Sequence, residues 1–130
     1  MDDSITPDNC NYVFTTIDCM GCKVALKEET FIYKICKDHP EVTPDLIKYG
    51  VESAFFVVKD PDHINRLRYY RYIQSPIQGR NDITNLKVVV EITSNEYNEI
   101  VTAYLCSSVK GQEINGGILY DASTKSTRGI

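Results

Sequence analysis

The chain has 130 residues and a mass of 14.8 kDa, a size for one compact domain. Its composition, 42% hydrophobic and 25% charged, is globular and excludes a disordered or collagen-like chain. A net charge of −4 argues against dense, sequence-independent wrapping of nucleic acid, and no apolar run approaches the roughly 20 residues of a membrane-spanning helix.

The opening residues, Met1-Asp2-Asp3-Ser4, lack the basic-then-apolar order of a secretion signal. Five cysteines cannot all pair within one chain, so reduced thiols and a cytoplasmic location are expected. Charge is unevenly spread. Residues 1–60 hold 6 basic and 11 acidic side chains, whereas residues 61–130 hold 8 and 7. All five arginines (Arg66, Arg68, Arg71, Arg80 and Arg128) lie in the second half. Four of them fall between His63 and Arg80 with no acid among them, which allows a local anion site in an acidic chain.

In chain order, residues 1–11 read as a flexible lead-in. Tyr12 to Ile17, β-branched and aromatic, predicts a strand. Asp18 and Gly21 predict a turn into a second strand at Lys23–Leu26, hence a β-hairpin. Glu28 and Glu29 open a helix whose stripe is Phe31, Ile32, Ile35, Cys36 and His39, ending before Pro40. Thr43-Pro44 starts a second helix to about Glu52, with Leu46, Ile47 and Val51 inward. Strands follow at Phe55–Val58, Leu67–Ile73, Leu86–Ile92 and Glu99–Cys106, with a dozen-residue loop from Gln74 to Asn85. A last irregular strand is expected within Gly111–Tyr120 and a flexible tail over 121–130. The expected fold class is α+β: two N-terminal helices after a β-hairpin, packed on a mostly antiparallel sheet, as a single domain over residues 12–120.

Cys19-x-x-Cys22 resembles half a zinc site, but no second pair or ligand-spaced histidines accompany it. Two incidental turn thiols, or a small zinc-stapled interaction domain drawing on Cys10, Cys36 or Cys106, are the readings. His39 either caps its helix as a half-buried residue or, as an imidazolium favoured by the helix dipole, donates a proton. His63, in an Asp-Pro-Asp-His turn, reads as plain surface. In the Arg66–Tyr72 strand, Arg66, Arg68, Tyr70 and Tyr72 share one face and Leu67, Tyr69, Arg71 and Ile73 the other. Arginine forks suit phosphate and neighbouring tyrosines can stack on unpaired bases; a half-exposed strand with snorkelling side chains is the bland alternative. On a core face, Arg71 would need an anionic partner. In the strand Glu99–Cys106, the all-aliphatic set Val101, Ala103 and Leu105 is expected inward, leaving Thr102 and Tyr104 toward a groove.

Several segments occur together in order: Thr16-Ile17-Asp18-x-x-Gly21 with Val24-x-Leu26, His39-Pro40-Glu41, and Asn65-Arg66-Leu67-Arg68-Tyr69-Tyr70-Arg71. Lys87-Val88-Val89-Val90-Glu91 and Ile100-Val101-Thr102-Ala103-Tyr104 follow. Together they resemble the phage-type branch of the barnase–EndoU–colicin–RelE-like (PBECR) nuclease superfamily over roughly Val13 to Tyr120. The resemblance implies a metal-independent endoribonuclease, of toxin, effector or phage type, with no cofactor, that cleaves RNA by 2′-OH transesterification. It implies His39 as acid/base, Arg71 as phosphate clamp with Arg66 or Arg68, Thr102 and Tyr104 orienting the substrate, and Lys34 and Tyr70 binding it. The family pattern often has a second histidine where this chain has Lys34, followed by Ile35 as here. A catalytically weak RNA- or protein-binding module is therefore the alternative. The implied partners are RNA, tRNA among them, and an inhibitor or immunity protein; no membrane is implied.

Overall fold

The structure, a computed structural model, describes residues 11–106, 117–123 and 126–127. The expected lead-in before residue 11, and residues 111–116 of the expected last strand, lie outside these. Strands β1 (Tyr12–Ile17) and β2 (Lys23–Lys27) form the expected hairpin, with Thr16 opposite Val24 and Phe14 opposite Leu26. The Asp18 carboxylate closes its turn by accepting the Met20 and Cys22 backbone N–H groups, each at 2.8 Å. Gly21 supplies the positive φ (+87°) the turn requires.

β2 runs directly into a helical stretch made of α1 (Glu28–Thr30), a π-helical turn (Phe31–Ile35) and α2 (Cys36–Asp38). It stops at His39, whose N–H still bonds Ile35 O at 2.7 Å, because the following proline disfavours helical geometry at its predecessor. α3 (Pro44–Glu52) is capped by Thr43, whose hydroxyl accepts Leu46 N–H at 3.2 Å. The remaining strands are β3 (Phe56–Lys59), β4 (Arg66–Gln74), β5 (Ile83–Glu91), β6 (Asn98–Cys106), β7 (Ile118–Asp121) and β8 (Ser126–Thr127).

The eight strands of the described residues lie in one sheet of order β1-β2-β6-β5-β4-β3-β7-β8. Every neighbouring pair is antiparallel except β2 with β6, which are parallel at Val24–Asn98 and Ala25–Glu99. α3 packs on one face, where Leu86 and Val88 come so close that a Cβ on Gly50 would sit 2.9 Å from Leu86 Cδ2. The core gathers on this helix-bearing face: Val24, Leu26, Ile35, Ile47, Val51, Val57, Tyr69, Leu86, Val88, Val90, Ile100 and Ala103.

The expected fold class is corrected here. This is a strand-dominated mixed sheet, antiparallel at all but one of its described pairs, with two short helical stretches in place of the two N-terminal helices expected to pack on it. The physical cause lies in residues 28–38. The π turn widens the helix and shifts the angular phase of its side chains. Ile35 alone is buried, while Ile32, Tyr33 and Cys36 of this stretch are exposed. Of the expected stripe, only Ile35 enters the core and Phe31 packs against it, while Ile32 and Cys36 face solvent, so the stretch anchors through one turn and contacts β6. Two smaller corrections follow. Ser126–Thr127, expected in a free tail, pair with β7. The predicted loop from Gln74 to Asn85 shrinks at both ends, since Gln74 closes β4 and Ile83 opens β5.

Candidate functional site

The register sorts the sequence-predicted residues onto two faces. On the face away from α3, one row crosses four strands: Tyr104 (β6) opposite Lys87 (β5), opposite Tyr70 (β4), opposite Phe56 (β3). The adjacent row brings Thr102 opposite Val89 and Arg68. Arg71 pairs with Leu86, which pairs with Leu105, so it belongs to the helix-bearing face. Thr102, Tyr104, Tyr70 and Arg68 are thus brought to one side, and Arg71 is not.

His39 joins the first side. At the end of α2, its ring stacks on Tyr104 with centroids 5.4 Å apart and planes 28° apart. Lys87 Nζ lies 5.1 Å from the Tyr104 ring centre and 5.9 Å from that of Tyr70. Tyr70 continues the row by stacking on Phe56 at 5.1 Å and 30°. Lys87 is 5% exposed, so its ammonium acts where water screens it poorly. Imidazole, phenol and ammonium therefore follow one another at ring-contact distances on one sheet face. Lys34 is exposed on the π turn, and among the described residues no hydrogen bond or ring contact joins it to His39.

Arg68 is tied down nearby. Its guanidinium bonds the Asp60 carboxylate at 3.3 and 3.4 Å, approaches Asp62 at 3.9 Å, and hydrogen-bonds the Tyr70 hydroxyl. Burial alone would raise the Asp60 pKa. The Asp62 N–H, together with the charge and hydrogen bonding of Arg68, outweighs burial and holds the carboxyl below its usual range. His63, read as surface, is 57% exposed on its side chain and 3.6 Å from the same carboxylate. Arg66 pairs with Glu91 at 3.2 Å. Both Arg66 and Arg68 are thus engaged by carboxylates, which weakens their expected part in a phosphate clamp.

Among the described residues no acid pairs with Arg71. Its guanidinium lies 3.9 Å from the Phe55 ring centre and 4.7 Å from that of Tyr49. It donates to Ser53 O at 3.2 Å and to the Tyr49 hydroxyl, and its buried Nε has no partner. The anionic partner expected for a core-facing Arg71 is replaced by two aromatic faces.

The face assignment on β6 also needs correction. A bulge opposite Val89 and Val90 places Ile100 in the core beside Ala103, where Val101 was expected. Val101 is half-buried. Because the bulge inserts its extra residue before Thr102, the phase of Thr102 and Tyr104 is unchanged.

The thiols are placed as follows. Cys19 is half-buried, and burial first and the Asp18 charge second push its pKa to about 12. Cys22 and Cys36 are exposed, and burial and then Asp18 also raise Cys22. Cys10 lies outside the described residues. Among the described residues no three His, Cys, Asp or Glu side chains are placed to hold a metal ion together. The hairpin turn is closed by Asp18, which also accepts the buried Tyr69 hydroxyl.

Lys87 is the site residue that sequence reasoning missed. Its signal was present: a lysine inside Leu86-Lys87-Val88-Val89-Val90, a run otherwise apolar enough for a central strand. A buried lysine there needs compensating neighbours, and those neighbours mark the site. Among the described residues no helix is long and apolar enough to cross a membrane. Comparison with protein-family models, with curated proteins and with solved structures returned no match.

Proposed function

We propose that the protein is an endoribonuclease that cleaves RNA by 2′-OH transesterification, with His39 and Lys87 at its centre. The observation that carries this reading is the sequence imidazole, phenol, ammonium formed by His39, Tyr104 and Lys87 on one sheet face. A phosphate lying against His39 and Tyr104 meets a proton acceptor, with the buried Lys87 ammonium 5.1 Å from the Tyr104 ring centre behind it.

The step balances with these groups. His39 takes the proton of a ribose 2′-hydroxyl, and the freed oxygen attacks the adjacent phosphorus. Charge grows on the non-bridging oxygens, and the field of the buried Lys87 ammonium, acting through the Tyr104 ring without touching the phosphate, opposes it. The 5′-oxygen leaves with a proton from solvent, giving a 2′,3′-cyclic phosphate and a 5′-hydroxyl. Tyr104 holds the imidazole by stacking, and Thr102, on the same face, offers a hydroxyl to the phosphate. The converging groups are an imidazole, an amine and phenols, a set suited to proton transfer and anion binding without a metal.

The test incubates purified protein with a labelled oligoribonucleotide in chelator and identifies the product ends. Expected are cyclic phosphate ends, resistance of an oligomer with one 2′-deoxy sugar at the cut position, and a fall in rate of roughly a hundredfold or more in His39→Ala. Cleavage that survives both changes removes the mechanism. Tight RNA binding with no turnover favours the binding-module alternative, for which the lysine at position 34 is the motivating observation.

A further inference from the structure

The helical stretch from Glu28 to Asp38 touches the fold with one side only. Phe31 and Ile35, four residues apart, face inward: Ile35 is fully buried and Phe31 packs on the core. Tyr33, midway between them, points the other way and is 75% exposed, with Ile32 beside it at 53%. Glu29 and Lys37, each four residues from Tyr33, are exposed as well. An α-helix drifts by about 40° over four residues. The wider π turn between Phe31 and Ile35 turns more slowly and takes up that drift. Glu29, Tyr33 and Lys37 therefore form one straight outward line of acid, aromatic ring and base. Among the described residues no ion pair, hydrogen bond or ring contact engages these three side chains.

We propose that this line is a self-association surface, on which a second copy of the chain docks its own Glu28–Asp38 stretch in antiparallel orientation. The charges select the occupant. A two-fold axis beside Tyr33 sets Glu29 of each copy against Lys37 of the other, so both ion pairs form at once. The two Tyr33 rings meet between them, with Ile32 on the flank. A parallel arrangement would set acid against acid and base against base, and an uncharged partner would leave Glu29 and Lys37 without counter-charges. The helix dipole accounts for acids at the start of the stretch and bases near its end. It does not account for two large apolar side chains left in water between them. Exposed ion pairs add little affinity and mainly fix orientation. Three turns of helix offer less than the roughly 1,200 Å² of a standard interface, so the dimer is weak, with a dissociation constant on the order of 100 μM. Its formation does not depend on the ribonuclease reading.

The experiment is sedimentation equilibrium of the full chain at concentrations around that value, on wild type, Glu29→Lys, Lys37→Glu and an equimolar mixture of the two variants. Each variant alone brings like charges together twice in the two-fold pair and is expected to weaken association roughly tenfold or more. The mixture is expected to associate as wild type does, because one variant carries two lysines on the line and the other two glutamates. That recovery also shows that neither variant is misfolded. Tyr33→Ala is expected to weaken association and to leave thermal unfolding unchanged, since the side chain is exposed. A wild type that stays monomeric at several times that concentration overturns the surface. So does a dimer that both single variants form as well as wild type, because it must use another face. A mixture that associates no better than its components overturns the antiparallel pairing.

Discussion

Two cationic side chains, one strand apart and both packed against rings, have opposite settings. Lys87 is on the face away from α3, between Tyr104 and Tyr70, one ring away from an imidazole. Arg71 is on the helix-bearing face, between Tyr49 and Phe55, donating to a helix-end carbonyl and to the Tyr49 hydroxyl, with no imidazole in contact among the described residues. The difference is one of strand parity. A residue at an odd position of β4 points to the helix-bearing face and one at an even position away from it; since even-numbered Tyr70 is buried and odd-numbered Arg71 is partly exposed, the two cations differ in their neighbours rather than in exposure. Arginine is the better phosphate ligand in general, yet here the lysine has the neighbours that chemistry needs.

The largest expected effects come from exchanging the two sites. Lys87→Met, which keeps the length of the side chain and removes its charge, is expected to lower the cleavage rate about a hundredfold or more while the protein stays folded. Arg71→Met is expected to leave the rate per folded molecule within a few-fold and to lower thermal stability instead. A rate loss in Arg71→Met equal to that in Lys87→Met would erase the contrast between the faces.

Next in size is the pair that anchors Tyr70. Arg68→Met leaves the buried Asp60 carboxylate uncompensated and is expected to cost about 3 kcal/mol in denaturant unfolding. The sign of its pH dependence follows from the lowered Asp60 pKa. Stabilisation is complete above the usual carboxylate value of about 3.9 and is lost as pH falls through the folded-state value. Asp60→Asn is therefore expected to be less stable than wild type near neutrality and to show a flatter loss of stability below about pH 4.

A smaller effect probes the helix-bearing face. Gly50→Ala would drive a Cβ to 2.9 Å from Leu86 and 3.0 Å from Val88, at an expected cost of about 1–3 kcal/mol by thermal unfolding. Cleavage per folded molecule should persist, because these contacts lie on the opposite side from His39. Smallest of all, the raised pKa of Cys19 predicts slower alkylation at pH 8 than that of exposed Cys36, read by mass spectrometry. Equal rates would mean that the hairpin turn opens readily and that Asp18 does not secure it.

Much of the chain order was legible in the sequence. The Asp18–Gly21 turn, the Thr43 cap, the break at Pro40 and the core strands all follow from local chemistry that acts within a few residues. What escaped was set by phase and by distance along the chain. Nothing in Phe31-Ile32-Tyr33-Lys34-Ile35 announces a π turn, so the stripe and the helix-on-sheet class built on it were misread. The parallel contact of β2 with β6 joins residues more than seventy apart and leaves no local mark. Of the site, the placement of Thr102 and Tyr104 on one face was readable from period two, and His39 from the helix end. The parity of Arg71 was readable as well, since Leu67, Tyr69 and Ile73 share its face. Its use as a clamp came from the resemblance and set that parity aside.

The proposed RNA-binding face can be tested from side-chain signals directly. The ring resonances of His39, Tyr70 and Tyr104 would be followed by NMR together with those of Tyr49 and Tyr69 while an uncleavable 2′-O-methyl oligoribonucleotide is added. Shifts at His39, Tyr70 and Tyr104, with Tyr49 and Tyr69 unmoved, are expected. Shifts centred on Tyr49, beside Arg71, with His39 and Tyr104 silent, would contradict the assignment.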